Sequence, residues 1–153
     1  MKEIRKILFP CDLTENSSKI LPYVLSISEK YNTTIYLLHV VQDLQRWGKD
    51  YIPHPSMDKY QKEAEEGAKK AMERFCEKCP FGGEKCPSIQ RKITSGDPID
   101  EILKTIESEN IDLVIMGTHG RKGLEHVIFG SVAENVVKKS PVPVLSINPY
   151  KLK

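Results

Sequence analysis

No stretch of this 153-residue chain approaches the roughly 18 consecutive apolar residues that a membrane span needs, although 39% of its residues are hydrophobic. A membrane partner is excluded on that count, and the apolar content is too high for a disordered polymer, so a soluble globule is expected. Nor is either charge in excess: 23 Lys and Arg oppose 21 Asp and Glu, a formal net charge of +2. A protein whose main work is gripping nucleic acid carries a broad basic field, and this balance argues against one. The N-terminus offers only Ile7, Leu8 and Phe9 before Pro10, too short an apolar run for a secretory leader, and a cytoplasmic location is expected. In that reducing compartment the four cysteines need not form disulfides. The length excludes a two-domain enzyme, and one domain over residues 1–153 is expected, large enough to bury a core.

What the chain has is an alternation of two patterns. Ile4 to Phe9 reads as a strand closed by Pro10. Ile20, Val24, Ile27 and Tyr31, spaced by three or four, mark a helix face that Leu21 and Leu25 widen. Pro22 falls inside that helix and cannot donate to the carbonyl of Ser18, so a bend there or a start beyond Thr14 is expected. Thr33 to Val41 is β-branched and nearly all apolar, as a strand covered on both faces is. The periodicity lapses from Gln42 to Pro55, which reads as a loop. Tyr60, Ala64, Ala68, Ala71 and Phe75 then define a second helix, which Cys79-Pro80-Phe81-Gly82-Gly83 cannot continue.

Ile89 to Thr94 is a third strand. Asp97 is placed to cap the next helix, with Pro98 in its first turn and Ile99, Ile102, Leu103 and Ile106 on its buried face. Leu113 to Met116 forms a short apolar strand ending in Gly117. Ser131 and Glu134 read as a capping box for a helix that closes with Lys138 and Lys139. Val142 to Ile147 is the last strand, and Pro141 and Pro143 at its start place it at a sheet edge. Strands alternating with helices imply the α/β class, with a five-stranded doubly wound parallel sheet. Ligands bind such sheets beyond the carboxyl ends of the strands, where the strand order reverses. Attention therefore falls on Pro10 to Asp12, on Val40 and Val41, and on Gly117 onward.

Gly117-Thr118-His119-Gly120 is followed by nine residues and then by Gly130-Ser131. A glycine at a strand end, a second that permits a tight turn and a third that opens a helix with unsatisfied amides are the parts of a phosphate cradle. The plainer alternative is that three glycines merely make turns; it leaves the coincidence of strand, spacing, helix start and hydroxyl unexplained. Asp12, an acid at a strand's carboxyl end, suits ribose hydroxyls and equally suits capping of the segment after Leu13. His39, at the neighbouring strand end, reads as structural. Arg121 and Lys122 flank the expected phosphates, where charge-assisted contacts help, whereas Lys138 and Lys139 are dipole partners on a solvated surface.

The chain at this point resembles the universal stress protein family, specifically its ATP-binding branch. That branch carries glycine, two residues, glycine, nine residues, glycine and then serine or threonine, and Gly117, Gly120, Gly130 and Ser131 match each fixed position. The similarity extends over nearly the whole chain, through Ile7-Leu8-Phe9-Pro10-Cys11-Asp12, Leu37-Leu38-His39-Val40, Gly96-Asp97-Pro98 and Ser131-Val132-Ala133-Glu134-Asn135-Val136. It implies a Rossmann-like fold of the adenine nucleotide α-hydrolase type. It further implies that Asp12 holds the nucleoside through its ribose or base edge and that Val40 contacts adenine through its backbone. Pro10 and Cys11 would line the same wall, Met116 and Gly117 would floor the pocket, and Gly120, Gly130, Ser131 and Val132 would surround the phosphates, with His119 and Arg121 in reach of them. The implied ligand is ATP with Mg²⁺ bridging phosphate oxygens, since no dedicated carboxylate cage is visible. The implied role is that of a nucleotide-dependent stress-response regulator, homodimeric through the last strand. Cys11 departs from the family pattern, in which a small hydroxyl residue is common, and a thiol is the poorer hydrogen-bond partner.

Two other classes share part of these features. A slow ATPase or nucleotidyl transferase on the same fold needs mainly positioning and charge neutralisation. However, no Walker Gly-Lys-Ser/Thr arrangement accompanies Gly130-Ser131, and no water-orienting base stands out. A non-nucleotide interaction module is the other class, and the complete glycine pattern counts against it. Cys76, Cys79 and Cys86 stand apart: one C-x-x-C pair and one more cysteine fall short of the four ligands of a structural zinc site. Incidental or disulfide-forming surface cysteines, a redox-sensitive clip and a metal site remain the three readings.

Overall fold

The chain folds in the order β1 (Lys6–Pro10), α1 (Glu15–Tyr31), β2 (Thr34–Gln42), α2 (Pro55–Glu77), β3 (Ile89–Gly96), α3 (Pro98–Ser108), β4 (Leu113–Gly117), α4 (Ser131–Lys139) and β5 (Val144–Ile147). The computed structural model describes residues 3–43, 55–78, 88–119 and 129–152. Cys79, Cys86, Gly120, Arg121 and Lys122, and most of the loop expected between Gln42 and Pro55, lie outside the described residues.

The strands form one sheet in the order β3-β2-β1-β4-β5, and every neighbouring pair is parallel. The chain first moves outward from β1 to β3, then returns to the other side of β1 for β4. The reversal therefore falls between β1 and β4, and this is the doubly wound sheet that the alternation of elements predicts. The last strand lies at an edge, as Pro141 and Pro143 require.

Side-chain alternation along each strand feeds two separate cores. Ile7 and Phe9 of β1, Ile35 and Leu37 of β2, and Leu113 and Ile115 of β4 meet Ile20, Leu21 and Val24 of α1 and Met72, Phe75 and Cys76 of α2. Leu8, Leu38, Val114 and Met116 point the opposite way, onto Ile102 and Ile106 of α3 and Ala133 and Val136 of α4. Ile7, Leu8 and Phe9 are fully buried, and each such side chain contributes about 1.5–3 kcal/mol of transfer free energy. At the amino ends of the strands, Asp112 Oδ2 accepts the N–H groups of Arg5 (3.0 Å) and Lys6 (3.1 Å), which fastens the approach to β4 onto β1.

Asp97 caps α3 as expected: its Oδ1 accepts from Ile99 N at 2.9 Å and Asp100 N at 3.1 Å. α1 begins at Glu15, with Thr14 as its N-cap residue, and continues across Pro22 without ending there. Pro22 and Ser18 are both exposed, so the bond that Pro22 cannot make is missing on the solvent side of the helix. Two expectations are corrected. The capping box at Ser131 and Glu134 does not form, because Gly130 is the N-cap residue of α4 and Ser131 is already helical; Glu134 pairs instead with Lys138 at 2.6 Å. On α2, Tyr60 and Ala64 are exposed, and the fully buried face starts at Ala68. The reason is length. A 23-residue helix spans about 35 Å, longer than the roughly 27 Å of the eight-residue β3, and Glu65 already meets Ser95 near that strand's end at 2.8 Å. The turns before Glu65 have outrun the sheet. Among the described residues no helix is long and apolar enough to cross a membrane.

Candidate functional site

Where β1 ends, its backbone is stitched to β2 rather than released. Cys11 donates its N–H to the Leu38 carbonyl at 2.8 Å, and its own carbonyl lies 2.9 Å from Nδ1 of the buried His39. A carbonyl only accepts, so Nδ1 carries the proton and His39 is a strand-end clamp, the structural part expected of it. The Cys11 side chain joins the core beneath α1. Asp12 follows, and its Oδ1 accepts three bonds: from Thr14 N (3.0 Å), Thr14 Oγ1 (2.6 Å) and Ser17 Oγ (2.7 Å). Ser17 Oγ in turn accepts the Asp12 N–H at 3.1 Å. This net holds Leu13 at φ 61°, in the left-handed region that costs a leucine free energy. The capping part foreseen for Asp12 is not the one it plays: Thr14 is the N-cap residue of α1 with no side-chain cap bond, and Asp12 organises the strained turn before it, at the mouth of the sheet.

Across the reversal, β4 delivers Gly117. A Cβ there would stand 2.7 Å from Ile20 Cδ1, so α1 packs directly on the backbone at this point and only glycine fits without movement. Thr118 then anchors the next stretch from both sides. Its N–H donates to the Ile147 carbonyl of β5 at 2.9 Å, and its carbonyl accepts Gly130 N–H at 2.7 Å. The two ends of the glycine-bearing loop are joined by that second bond, and a Cβ at Gly130 would stand 3.1 Å from the same oxygen. His119 is 6% exposed; its Nδ1 lies 2.7 Å from Thr118 Oγ1 and its ring meets Tyr150 edge-on at 5.1 Å.

Gly130 leads into α4 with φ −71° and ψ 155°, and no side chain caps the helix. Its carbonyl accepts the first intrahelical bond, from Glu134 N at 2.9 Å. A side-chain-free helix start, with the exposed Ser131 hydroxyl in its first position, is suited to an anion, because amides and dipole both point outward there. Lys138 holds the Glu134 carboxyl below the usual carboxylate range through its hydrogen bond and charge, so the acid in the first turn is matched within its own helix.

The residues singled out in the sequence thus fall in three groups. Pro10 ends β1, and Cys11 and Asp12 follow it; Met116 and Gly117 end β4, and His119 lies just beyond; Gly130, Ser131 and Val132 open α4, and the carboxyl ends of the two adjacent strands bring these together. Val40 lies one strand further out, in register with Thr94 and packed on the core beneath α3 and α4. Gly120 and Arg121 lie outside the described residues. Sequence reasoning missed Leu13, Thr118, Tyr150 and Asn16. The Asp-x-Thr spacing at Asp12 was a legible turn signal, whereas nothing in the local pattern marks Tyr150. Among the described residues no group of three or more His, Cys, Asp or Glu side chains is arranged to hold a metal ion.

The model of the universal stress protein family matches residues 3–148. The universal stress protein MJ0577 of Methanocaldococcus jannaschii is 32% identical over 155 aligned positions that cover 94% of each chain. The solved structure of MJ0577 superposes with a TM-score of 0.79 at 30% identity, over 96% of this chain and 97% of that one. Two more distant structures share the fold. A universal stress protein family protein of Arabidopsis thaliana, solved with AMP bound, gives a TM-score of 0.60 at 19% identity, over 94% of this chain and 91% of its own. A universal stress protein in complex with cAMP gives 0.59 at 19% identity, over 97% and 99%.

Proposed function

From the premise that the chain belongs to the universal stress protein family, we propose that it is an adenine-nucleotide-binding regulator that takes ATP in the cleft between β1 and β4. The observation that carries this reading is the start of α4: Gly130 as a side-chain-free N-cap, held by Thr118 beside the end of β4. Anions stabilise such a terminus, and phosphates are the anions that a strand, glycine loop and helix receive. Relatives of the same fold support the adenine part, one carrying AMP and another cAMP.

In this reading Gly130, Ser131 and Val132 receive phosphate oxygens, joined by Gly120 and Arg121 of the loop. Asp12, already oriented by Thr14 and Ser17, receives ribose hydroxyls. Val40 offers its backbone to the base, and the half-buried Gly117 beside the buried Met116 floors the cleft against Pro10 and the Cys11 backbone. His119, enclosed between Thr118 and Tyr150, shapes the start of the loop. Mg²⁺ rides on the phosphate oxygens, in keeping with the cation's habit of retaining water and binding through few protein ligands. Nucleotide occupancy is read by a partner. The chain acts as one domain, and a second copy pairs with it along β5, where Leu145 and Val137 of α4 leave apolar surface exposed.

Titration of ATP with Mg²⁺ by calorimetry against wild type and Ser131→Pro tests the cradle. Proline is tolerated at the first helical position, and Gly130 already has the extended ψ of 155° that a following proline demands. The variant thus keeps the helix but removes one amide and the hydroxyl. A loss of about tenfold or more is expected from deleting a charge-assisted donor; equal affinities would overturn the reading.

A further inference from the structure

The residues after β5 are not spent on the sheet, yet they touch both sides of the cleft. Pro149 is buried. Tyr150 N–H donates to Asn148 Oδ1 at 3.0 Å, and Lys151 N–H to the Asn148 carbonyl at 3.3 Å, so the segment is wound into a compact turn. From that turn the Tyr150 ring reaches His119, whose ring it meets at 75° and 5.1 Å. The Tyr150 hydroxyl accepts a bond from Asn16 Nδ2 at 3.1 Å, at the first turn of α1. Asn16 stands next to Ser17, the partner of Asp12, and His119 stands next to Thr118, the partner of Gly130.

One aromatic side chain thus spans the two walls: the Asp12 turn through Asn16, and the root of the glycine loop through His119. We infer that Tyr150 is a positioning residue of the cleft, a clasp that holds the Asp12 turn and the Thr118–Gly130 junction at a fixed separation. The inference rests on the nucleotide reading and adds the element that sets its affinity. Two walls that must be ordered on binding weaken a ligand in proportion to the fraction of molecules already in the competent arrangement, and a clasp raises that fraction. The ring supplies packing on His119, and the hydroxyl supplies the bond to Asn16; the two parts are separable by substitution. Tyr150 itself touches no phosphate in this scheme.

ATP with Mg²⁺ is titrated calorimetrically into wild type, Tyr150→Ala, Tyr150→Phe, Asn16→Ala and the Asn16→Ala/Tyr150→Phe double variant, with the thermal midpoint of each measured alone. Tyr150→Ala is expected to bind about tenfold or more weakly, with a thermal midpoint near that of wild type. Tyr150→Phe keeps the ring and loses only the hydroxyl, and is expected to bind measurably more weakly than wild type but more tightly than Tyr150→Ala. Asn16→Ala and Tyr150→Phe remove the same bond, so each is expected to cost a similar factor and the double variant no more than either. If Tyr150→Ala fails to fold, the cycle on Asn16 and Tyr150→Phe still decides. Wild-type affinity in Tyr150→Ala, or in both members of the cycle, overturns the clasp alone. Absence of binding by wild type overturns the nucleotide reading instead.

Discussion

The carbonyl oxygen of Thr118 is the point at which the glycine loop closes: it accepts Gly130 N–H at 2.7 Å and leaves only 3.1 Å for any Cβ at position 130. The backbone torsions of Gly130 are open to all residues, so glycine is required here for space and not for conformation. Gly130→Ala is therefore expected to destabilise the protein by about 1 kcal/mol, as overpacking against backbone does, and to weaken ATP binding. Urea unfolding and calorimetry on the same sample check both. Unchanged stability would show that Thr118 yields freely.

Gly117 presents a different obstacle, the end of a flexible chain. Its Cβ would meet Ile20 Cδ1 at 2.7 Å, inside a core where Ile20 is 2% exposed. Gly117→Ala should cost about 1–3 kcal/mol. Ile20→Val removes the offending methyl, so the double variant should be more stable than the sum of the two singles predicts. A strictly additive cycle would falsify the contact as the cause.

Asp12 and Asp97 are both acids at helix entrances, and they separate folding from function. Asp97→Ala removes the two-bond cap of α3 and should cost about 1 kcal/mol without altering nucleotide affinity. Asp12→Ala removes three accepted bonds and frees Leu13 from its turn. It should cost about 1–3 kcal/mol and in addition abolish measurable ATP binding. Equal affinities for the two variants would remove Asp12 from the site.

Cys76 offers a pH signature. Burial in the core beneath α2 pushes its thiol above the ordinary range, with the nearby Arg91 charge partly opposing the shift. A raised folded value stabilises the native state fully below the thiol's unfolded pKa, about 8.5, and that contribution is lost as pH rises through the folded value. The urea midpoint of wild type should thus fall more steeply than that of Cys76→Ala above about pH 8.5. Iodoacetamide at pH 8 should label Cys76 far more slowly in the native protein than in denaturant, as peptide mapping would resolve. Rapid native labelling would contradict the burial.

The order of elements was legible because each obeys a period that sequence carries openly: β-branched runs for β2 and β4, and a proline after a capping aspartate for α3. The edge position of β5 was legible from Pro141 and Pro143, since a missing donor narrows where a strand can sit. The misread features are those that a local pattern cannot separate. Ser131 with Glu134 has the spacing of a capping box, but with Gly130 packed against Thr118 as the N-cap residue the helix starts one residue earlier than that pattern needs. Tyr60 and Ala64 continue the period of α2, yet the period says nothing of how far the sheet extends beneath it. Within the candidate site, Asp12 and the glycines announced themselves by type and spacing. Tyr150 did not, because its part depends on Asn16 and His119, which the fold alone brings together.

The reversal between β1 and β4 also sets the order in which the molecule can be completed. Lys6 and Asp112 are bonded across 106 positions of sequence, whereas β1 meets β2, and β2 meets β3, within the stretch that ends at Gly96. A nascent chain can assemble that outer half while one side of β1 still waits for its partner, and pairings of such long range form slowly because the intervening chain must first be closed. The cleft is therefore the seam between an early and a late part of the polypeptide. It comes into being only when β4 docks and makes the most distant pairing of the sheet.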